Sequence, residues 1–375
     1  MSAIELRMVA KGRRIATAEW AAERRPGVGT GGLDALEGLP RRGLAGNPLP
    51  MDLARPLVRL PVRFCATTLA AEMAALPPGA WVPHPTDYEG NDAALLVTPG
   101  GRLEQGFIGP MAPTEALARA PYIRQLMAEL GCTWGRSRLM RLAPGAKVPR
   151  HVDINYYWRT HWRLHVPVVT NPAVAFTCGG ETVHMAAGEC WTFDSFRYHE
   201  VHNGGGETRV HLVLDTVGGG MLHALLAQAQ SCDPGAPAFI APDGRTDYVP
   251  ACEQRNAPAV MSPWEMRCHV RELLGHCPPA PALPPVAAAL DRFVDRWAAA
   301  WAAWGEEPGH LPGYMALALA GRDEVAAAGA DAVRLDNGVL LSACLREIVF
   351  RMAVTAPREA GAARPHAIPG RRGAR

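Results

Sequence analysis

Arg163-Leu164-His165-Val166-Pro167-Val168-Val169 is the stretch that decides how the centre of this chain folds. Successive side chains of a β-strand point to opposite faces. Arg163, His165 and Pro167 therefore share one face, and Leu164, Val166 and Val168 share the other. The same grain runs outward on both sides. Strand-like segments are expected at residues 138–142, 174–177, 182–185, 190–193, 199–202 and 208–215. Between them lie Pro144-Gly145, Gly179-Gly180, Gly188 and Asn203-Gly204-Gly205-Gly206. Many short strands joined by such turns predict an antiparallel double-sheet barrel of the jelly-roll or cupin-like kind.

Within that frame a few residues carry chemistry. In Pro149-Arg150-His151-Val152-Asp153, the residues His151 and Asp153 are two apart, so on a strand they share a face. His199 can bring a third ligand from a distant strand. Two histidines and one carboxylate form the ligand set of a non-haem Fe(II) oxygenase, which leaves coordination positions open. Arg209 follows His199 across the glycine-rich turn. If that turn closes a hairpin, the two residues sit nearly opposite each other on paired strands. A fixed cation beside a metal suits a dicarboxylate cosubstrate. Other histidines crowd the same region, among them His161, His165, His184, His202 and His211. A lone buried histidine is more often a hydrogen-bonded core residue than a ligand. On these residues alone a metal centre and a metal-free β-barrel both stand.

A family resemblance separates the two. Residues 84–217 resemble the aspartyl/asparaginyl β-hydroxylase family of Fe(II)/2-oxoglutarate-dependent dioxygenases. The likeness is carried in order by Arg136-Ser-Arg-Leu-Met-Arg-Leu-Ala-Pro-Gly145, His151-Val-Asp153 and Arg163-Leu-His-Val-Pro-Val168. It continues through Thr170-Asn-Pro172, Ala187-Gly-Glu-Cys-Trp-Thr-Phe-Asp194, His199-Glu-Val-His-Asn203 and Arg209-Val-His-Leu-Val-Leu-Asp215. The Gly-Glu-x-Trp turn and the H-x-D spacing also resemble bacterial free-proline hydroxylases, which carry a helical C-terminal piece. The resemblance implies a distorted double-stranded β-helix, with His151 and His199 as iron ligands. Animal members of the family have glycine where this chain has Asp153; the aspartate is shared with many bacterial members. Arg209 matches the arginine that pairs with the distal carboxylate of 2-oxoglutarate. Arg163 and His165 match an R-x-H pair that holds the other end of the cosubstrate, and their spacing independently places both on one strand face. The implied cofactors are Fe(II), 2-oxoglutarate as cosubstrate, and O2.

Neighbouring residues are expected in supporting places. Gly188-Glu189 makes a turn and Trp191 packs. Asp194 and His211 are candidates for groups that orient the metal ligands, with a capping role open for Asp194; Asp215 is expected to pair with a local basic group. The aromatic stretch Asn155-Tyr-Tyr-Trp-Arg-Thr-His-Trp162 could form a pocket lid or pack on the barrel rim. His84, Tyr88, Asn155, Tyr157 and Trp158 are the candidate substrate residues, and Asn91 and Asp92 lie in the same polar loop as His84. The expected activity is hydroxylation of an aliphatic C–H of an amino acid, an aminoacyl or peptidyl residue, or a related small metabolite. The alternative is a non-catalytic barrel that binds a metal and a small acid as a sensor or interaction module.

Composition bounds the rest. The 375 residues are 48% hydrophobic and 20% charged, ordinary for a soluble globular protein. A net charge of +2 gives no electrostatic case for nucleic acid or membrane. No apolar run is long enough for a transmembrane helix. No apolar run follows the N-terminal basic residues, so no secretory signal is expected. Nine cysteines without a C-x-x-C pair argue against a disulfide framework or structural zinc and for a reducing compartment. A cytoplasmic protein is expected, and the Ala, Arg, Gly and Pro richness suggests a high-GC bacterial gene. No G-x-x-x-x-G-K-[ST] occurs, so a P-loop activity has no support.

The organisation expected is mainly β with helical additions: a double-stranded β-helix core plus an α-helical C-terminal region. Residues 1–50 are expected to be a disordered extension or an over-extended start, with a nucleic-acid arm the lesser reading. Residues 51–220 form the dioxygenase barrel, and residues 57–62 within it read as an edge strand because of Pro61. Residues 221–260 read as a linker or wrapping loop. Residues 261–355 are helical, with Ser262-Pro263-Trp264-Glu265 as a start signal and Leu290, Phe293, Val294, Trp297 and Trp301 as a packing stripe. Residues 356–375 read as a disordered tail. Oligomeric state and substrate identity are not legible.

Overall fold

The computed structural model describes residues 53–85, 88–231 and 235–355. The expectations for residues 1–50 and 356–375 lie outside the described residues. Thirteen strands are described. They are β1 (Leu57–Phe64), β2 (Trp81–Pro83), β3 (Asn91–Pro99), β4 (Met111–Pro113), β5 (Thr133–Leu142), β6 (Lys147–His151), β7 (Trp162–Val169), β8 (Val174–Cys178), β9 (Glu181–Val183), β10 (Glu189–Phe193), β11 (His199–Asn203), β12 (Arg209–Gly218) and β13 (Ala238–Ile240). The helices are α1 (Ala66–Ala74), α2 (Glu115–Ala118), α3 (Pro121–Glu129), α4 (Tyr157–Thr160), α5 (Gly220–Ala229), α6 (Pro263–Gly275), α7 (Leu283–Trp304), α8 (Leu311–Ala327) and α9 (Leu341–Cys344).

From β5 to β12 the chain passes back and forth between two sheets. The larger sheet runs β13-β1-β10-β7-β12-β5-β3-β2, with β4 beside β3; the smaller runs β6-β11-β8-β9. This alternation is a double-stranded β-helix, and a helical region follows it, as expected from the sequence.

Alternation along the strands explains why the barrel interior is polar. Leu164, Val166 and Val168 of β7 and Val210, Leu212 and Leu214 of β12 pack outward against helices. Their partners there include Leu69 of α1, Ile123 and Leu126 of α3, and Leu222 and Leu226 of α5. The opposite face of the sheet then turns Arg163, His165, Arg209, His211 and Asp215 inward. Burying one leucine side chain is worth roughly 1.5–3 kcal/mol, so the outer apolar faces stabilise a sheet whose inner face is left for chemistry. Inside the barrel the apolar packing is small: Leu57, Leu142, Phe176, Phe193 and Val201 form its floor.

The helical region has a core of its own. Leu290, Phe293, Val294 and Trp297 of α7 are buried against α6 and α8. A Cβ on Gly321 of α8 would lie 2.2 Å from the Phe293 ring, so glycine there permits the close approach of the two helices. Ser262 caps α6 by accepting the Glu265 N–H at 3.3 Å, and Thr114 caps α2 by accepting that of Leu117 at 3.4 Å. Pro121 begins α3.

One expectation about connectivity is corrected, and a second segment is given its contacts. First, β1 is covered: it lies between β10 and the short parallel strand β13. Pro61 falls where the β1–β10 register shifts between Leu60 and Arg63, so its missing N–H is accommodated by an irregularity. Second, the described residues between 221 and 260 are docked, as a wrapping segment. They include α5 and β13, and their backbone bonds to Trp134 and Met111 through Ala251 and Glu253. Among the described residues no helix is long and apolar enough to cross a membrane.

Candidate metal centre

The smaller sheet supplies the histidines. His151 ends β6 and faces His199 at the start of β11, with ring centroids 4.1 Å apart. Asp153 lies beyond the end of β6, in a segment held to the loop before β11 by Asp153 N donating to Ser195 O at 3.0 Å. The shared face therefore comes from this cross-loop bond rather than from a continued strand. Its carboxylate stands 3.8 Å from His151 Nε2 and 3.9 Å from His199 Nε2. One donor atom from each of the three residues lies within 4.8 Å of the others.

Both rings are set in one tautomer. His151 Nδ1 donates to Pro149 O at 2.7 Å and His199 Nδ1 donates to Arg197 O at 2.9 Å. A carbonyl oxygen can only accept, so each Nδ1 carries the proton and each Nε2 presents a lone pair. Burial, reinforced by neighbouring His151, pushes the His199 imidazolium down to about 4. His199 Nε2 is buried without a hydrogen-bond partner. Burial alone would raise the Asp153 carboxyl, but the Arg163 guanidinium and the two histidines hold it below the usual range. Two neutral imidazoles and one carboxylate, with an orphaned nitrogen aimed at their centre, fit a divalent metal of the non-haem iron type.

Asp194 supports this geometry from behind. It accepts the Phe196 N–H at 3.0 Å and Arg197 Nε at 2.9 Å, fixing the turn whose Arg197 carbonyl orients His199. The capping role and the orienting role are thus one.

The larger sheet supplies the cations. Its register sets Asp215 of β12 beside Arg163 of β7, Val213 beside both His165 and Arg138 of β5, and Arg209 beside Leu142. Arg209 is 4% exposed, its Nε and Nη2 have no partner, and burial lowers it to about 9. His165 Nδ1 and His211 Nδ1 are 3.3 Å apart. Burial and the nearby Arg209 charge keep both imidazoles well below their ordinary value. His211 therefore lies with Arg209 and His165, and bonds neither metal-ligand histidine.

Several expectations differ from these positions. His199 and Arg209 are not partners in a hairpin, because β11 and β12 belong to different sheets. The Gly204-Gly205-Gly206 turn carries the chain across. Asn203 anchors it by donating to Leu142 O, Ala143 O and Glu207 O at 2.9, 3.1 and 2.8 Å. A Cβ on Gly205 would meet Asn171 at 2.4 Å.

Arg163 braces carboxylates: Nη1 reaches Asp153 at 3.1 Å and Nε reaches Asp215 at 3.1 Å, leaving it committed to the metal carboxylate rather than pointed at a cosubstrate. Trp158 lies 3.8 Å beneath its guanidinium and Tyr157 stacks on His161 at 3.6 Å. The Tyr157 hydroxyl accepts Arg136 N at 2.9 Å. Both aromatics are packing elements of the wall. Asn155 accepts the Tyr157 N–H at 3.0 Å, starting α4, and Asp92 pairs with Arg141.

His84 does face the interior. Burial, then the charges of Arg138, Arg136 and Arg163, push it down to about 2. Its ring stacks with Tyr88 at 6.5 Å between centroids. Arg138 is a site residue that the sequence reading missed, although its spacing from Arg136 already placed both on one face.

Comparison with known proteins agrees with the resemblance read from the sequence. Residues 96–218 match the family model described as Aspartyl/Asparaginyl beta-hydroxylase. The chain is similar to L-proline cis-4-hydroxylase of Rhizobium meliloti (strain 1021), with 25% identity over 162 residues. That match spans 41% of this chain and 58% of the relative, so less than two thirds of the relative's length is covered. Among solved structures, a Pseudomonas putida prolyl-4-hydroxylase aligns at 18% identity and a TM-score of 0.30, covering 44% of this chain and 92% of that one. An oxidoreductase of the 2OG-Fe(II) oxygenase family from Burkholderia pseudomallei aligns at 12% identity and a TM-score of 0.31, covering 42% and 80%.

Proposed function

We propose that this protein is an Fe(II)/2-oxoglutarate-dependent dioxygenase. It hydroxylates an aliphatic C–H of an amino acid, an aminoacyl or peptidyl residue, or a related small metabolite, with release of succinate and CO2. The observation that carries the reading is the set of His151, Asp153 and His199, with both Nε2 lone pairs freed. It shares a barrel with a buried arginine, Arg209, that lacks a partner. When bound, Fe(II) with 2-oxoglutarate and O2 supplies the oxidising chemistry that no side chain here provides.

The chain's own residues have three roles. His151, Asp153 and His199 would hold the metal, at the edge of the barrel interior. Arg209 supplies the cation that a buried distal carboxylate requires, since an unpaired charge in such a place is costly. Arg163 keeps Asp153 ionised and fixed, while Trp158 and Tyr157 close the wall and exclude water. His165 and His211, kept neutral, offer hydrogen bonds beside Arg209 without adding charge.

The test is anaerobic addition of Fe(II) and 2-oxoglutarate to wild type and His199→Ala, read by visible absorption. A weak metal-to-ligand charge-transfer band in wild type, lost in the variant, is expected. Well-folded wild type with no band and no retained iron would overturn the assignment in favour of a small-acid-binding module.

A further inference from the structure

The short helix α4 has two sides. On one, Trp158 lies 3.8 Å beneath the Arg163 guanidinium and Tyr157 packs on Phe107 at 4.8 Å, so this side is the wall of the metal centre. On the other, Tyr156 and Thr160 line a cavity of about 390 Å³, closed by the segment 253–262 and by Trp301 of α7. That volume is in the range of small-ligand sites. None of the residues that line it belongs to the metal centre.

Glu253 is the buried charge of this cavity and is 5% exposed. Its side-chain contacts both fall on Oε2, with His161 Nε2 at 3.1 Å and Asn256 Nδ2 at 3.0 Å. Oε1 takes no hydrogen bond from any described residue and is left to the cavity. Two further carboxylates line it. Glu306 pairs with Arg255 at 3.4 Å, and Glu265 accepts the Tyr156 hydroxyl. Counting His161 as charged against Glu253, and Arg255 against Glu306, still leaves one carboxylate in excess. His269 beside Glu265 does not cancel it, because burial pushes that imidazole below its ordinary value. Among the described residues only His151, Asp153 and His199 bring three metal-ligating groups within 4.8 Å of one another. The carboxylates of the cavity are therefore too far apart for a bare ion and suit a larger cation. Tyr156 and Trp301 add aromatic surface, which attracts organic cations.

We propose that this cavity is an effector site for a small organic cation of the alkylammonium or guanidinium class. Glu253 Oε1 accepts its N–H groups, and Tyr156 and Trp301 cover its alkyl part. The cation would meet three groups that hold the wall of the metal centre from behind. Tyr156 stands in the loop after Asp153. His161, the partner of Glu253, carries the stacked Tyr157 ring at 3.6 Å. Asn256 donates to Phe107 O at 2.9 Å and accepts the Gly109 N–H at 2.8 Å. Occupancy thus orders the wall from its outer side. The effect on metal binding rests on the dioxygenase reading, but the site and the ordering of the wall do not.

The experiment is calorimetric titration of the full chain with butylamine and butylguanidine, and with butanol and butyrate as neutral and anionic controls. At least one cation is expected to bind about tenfold more tightly than either control, the scale of one hydrogen bond to a charged group. At saturation, hydrogen–deuterium exchange of residues 153–162 should slow about fivefold, with or without metal, the lower end of ordinary coupling between sites. Glu253→Gln should weaken cation binding about tenfold. Because Glu253 also holds His161, a second variant guards against a folding defect. Val217→Trp fills the cavity from the exposed side of β12 and should block binding in a chain that melts as wild type does. Binding of no cation, equal binding of the controls, unchanged cation binding in either folded variant, or binding without slowed exchange would each overturn the proposal. Cation binding with slowed exchange in a chain that holds no Fe(II) would sink the dioxygenase reading and leave the effector site standing.

Discussion

The two sheets of the barrel are supported in different ways. The larger sheet, which holds the arginines, rests on its own outer core and on helices that pack against it. The smaller sheet, which holds both histidines, relies on the helical region for the loops at its rim. Arg159, buried in the short helix α4 within the loop after Asp153, is paired with Glu272 of α6. Tyr156 in the same loop donates its hydroxyl to Glu265 of α6. Asn337 donates to Phe196 O at 2.7 Å, in the turn before His199. Tyr156 and Phe196 are buried within the core of the helical region. The arginine-bearing sheet is thus built into the barrel, whereas the loops beside the two histidines are held from outside. The helical region therefore fixes the two loops that set Asp153 and His199.

Four substitutions and one change of condition would break or sharpen that contrast. The largest effect is expected for Arg163→Met, which strips Asp153 and Asp215 of their shared cation. Leaving the buried Asp153 carboxylate without its cation costs about 3–5 kcal/mol, read as a lower urea midpoint. Arg138→Met, on the same sheet face, should raise the midpoint, because Arg138 Nε and Nη1 are buried without a hydrogen-bond partner. If both variants lost stability alike, the distinction between a bracing and an unpaired arginine would fail.

Next comes Leu212→Ala, in the outer core of the larger sheet. It should cost about 2–5 kcal/mol by chemical denaturation, while the metal affinity of the folded fraction stays unchanged. Glu272→Gln should do the reverse. Weakening the hold on the Asp153 loop is expected to reduce Fe(II) affinity about tenfold, the scale seen when partners of metal ligands are removed. Unchanged metal affinity in a folded variant would show that the barrel holds its ligands unaided.

The smallest effect is a pH dependence. His165 and His211 are neutral in the folded protein because burial depresses both. As pH falls through the unfolded value near 6.5, the unfolded chain takes up protons that the folded one refuses. Stability of the metal-free protein is therefore full above that value and falls below it, by up to about 1.4 kcal/mol per pH unit for each histidine. Denaturation curves at about pH 7 and about pH 5.5 would check this, and a flat response would contradict it.

Much of this was legible in residue order. The alternation in residues 163–169 is visible without coordinates, as are the H-x-D spacing and the start signal at Ser262-Pro263-Trp264-Glu265. The side on which each alternating face would lie was less plain. The apolar side of β7 faces helices outside the barrel, so its polar side becomes the interior. Asn203-Gly204-Gly205-Gly206 reads as a hairpin because local signals describe a turn but not the sheet that receives the next strand. The crossing depends on Asn203 bonding to Leu142 O and Ala143 O, some sixty positions away. Arg163 and Arg138 show the same limit. Both are inward arginines on strands, yet among the described residues one pairs with two carboxylates and the other with none.

The sequence by itself determined the strand periodicity, the inventory of ligands and cations, and the helical start sites, because these depend on neighbours within a few residues. The tertiary structure alone decided that β11 and β12 part company, that Arg163 braces Asp153, and that Arg138 and Arg209 wait unpaired. Those outcomes are set by which distant side chains come within hydrogen-bond reach after the sheets close, and in a buried site an interaction a few ångströms longer or shorter separates a brace from an open binding group.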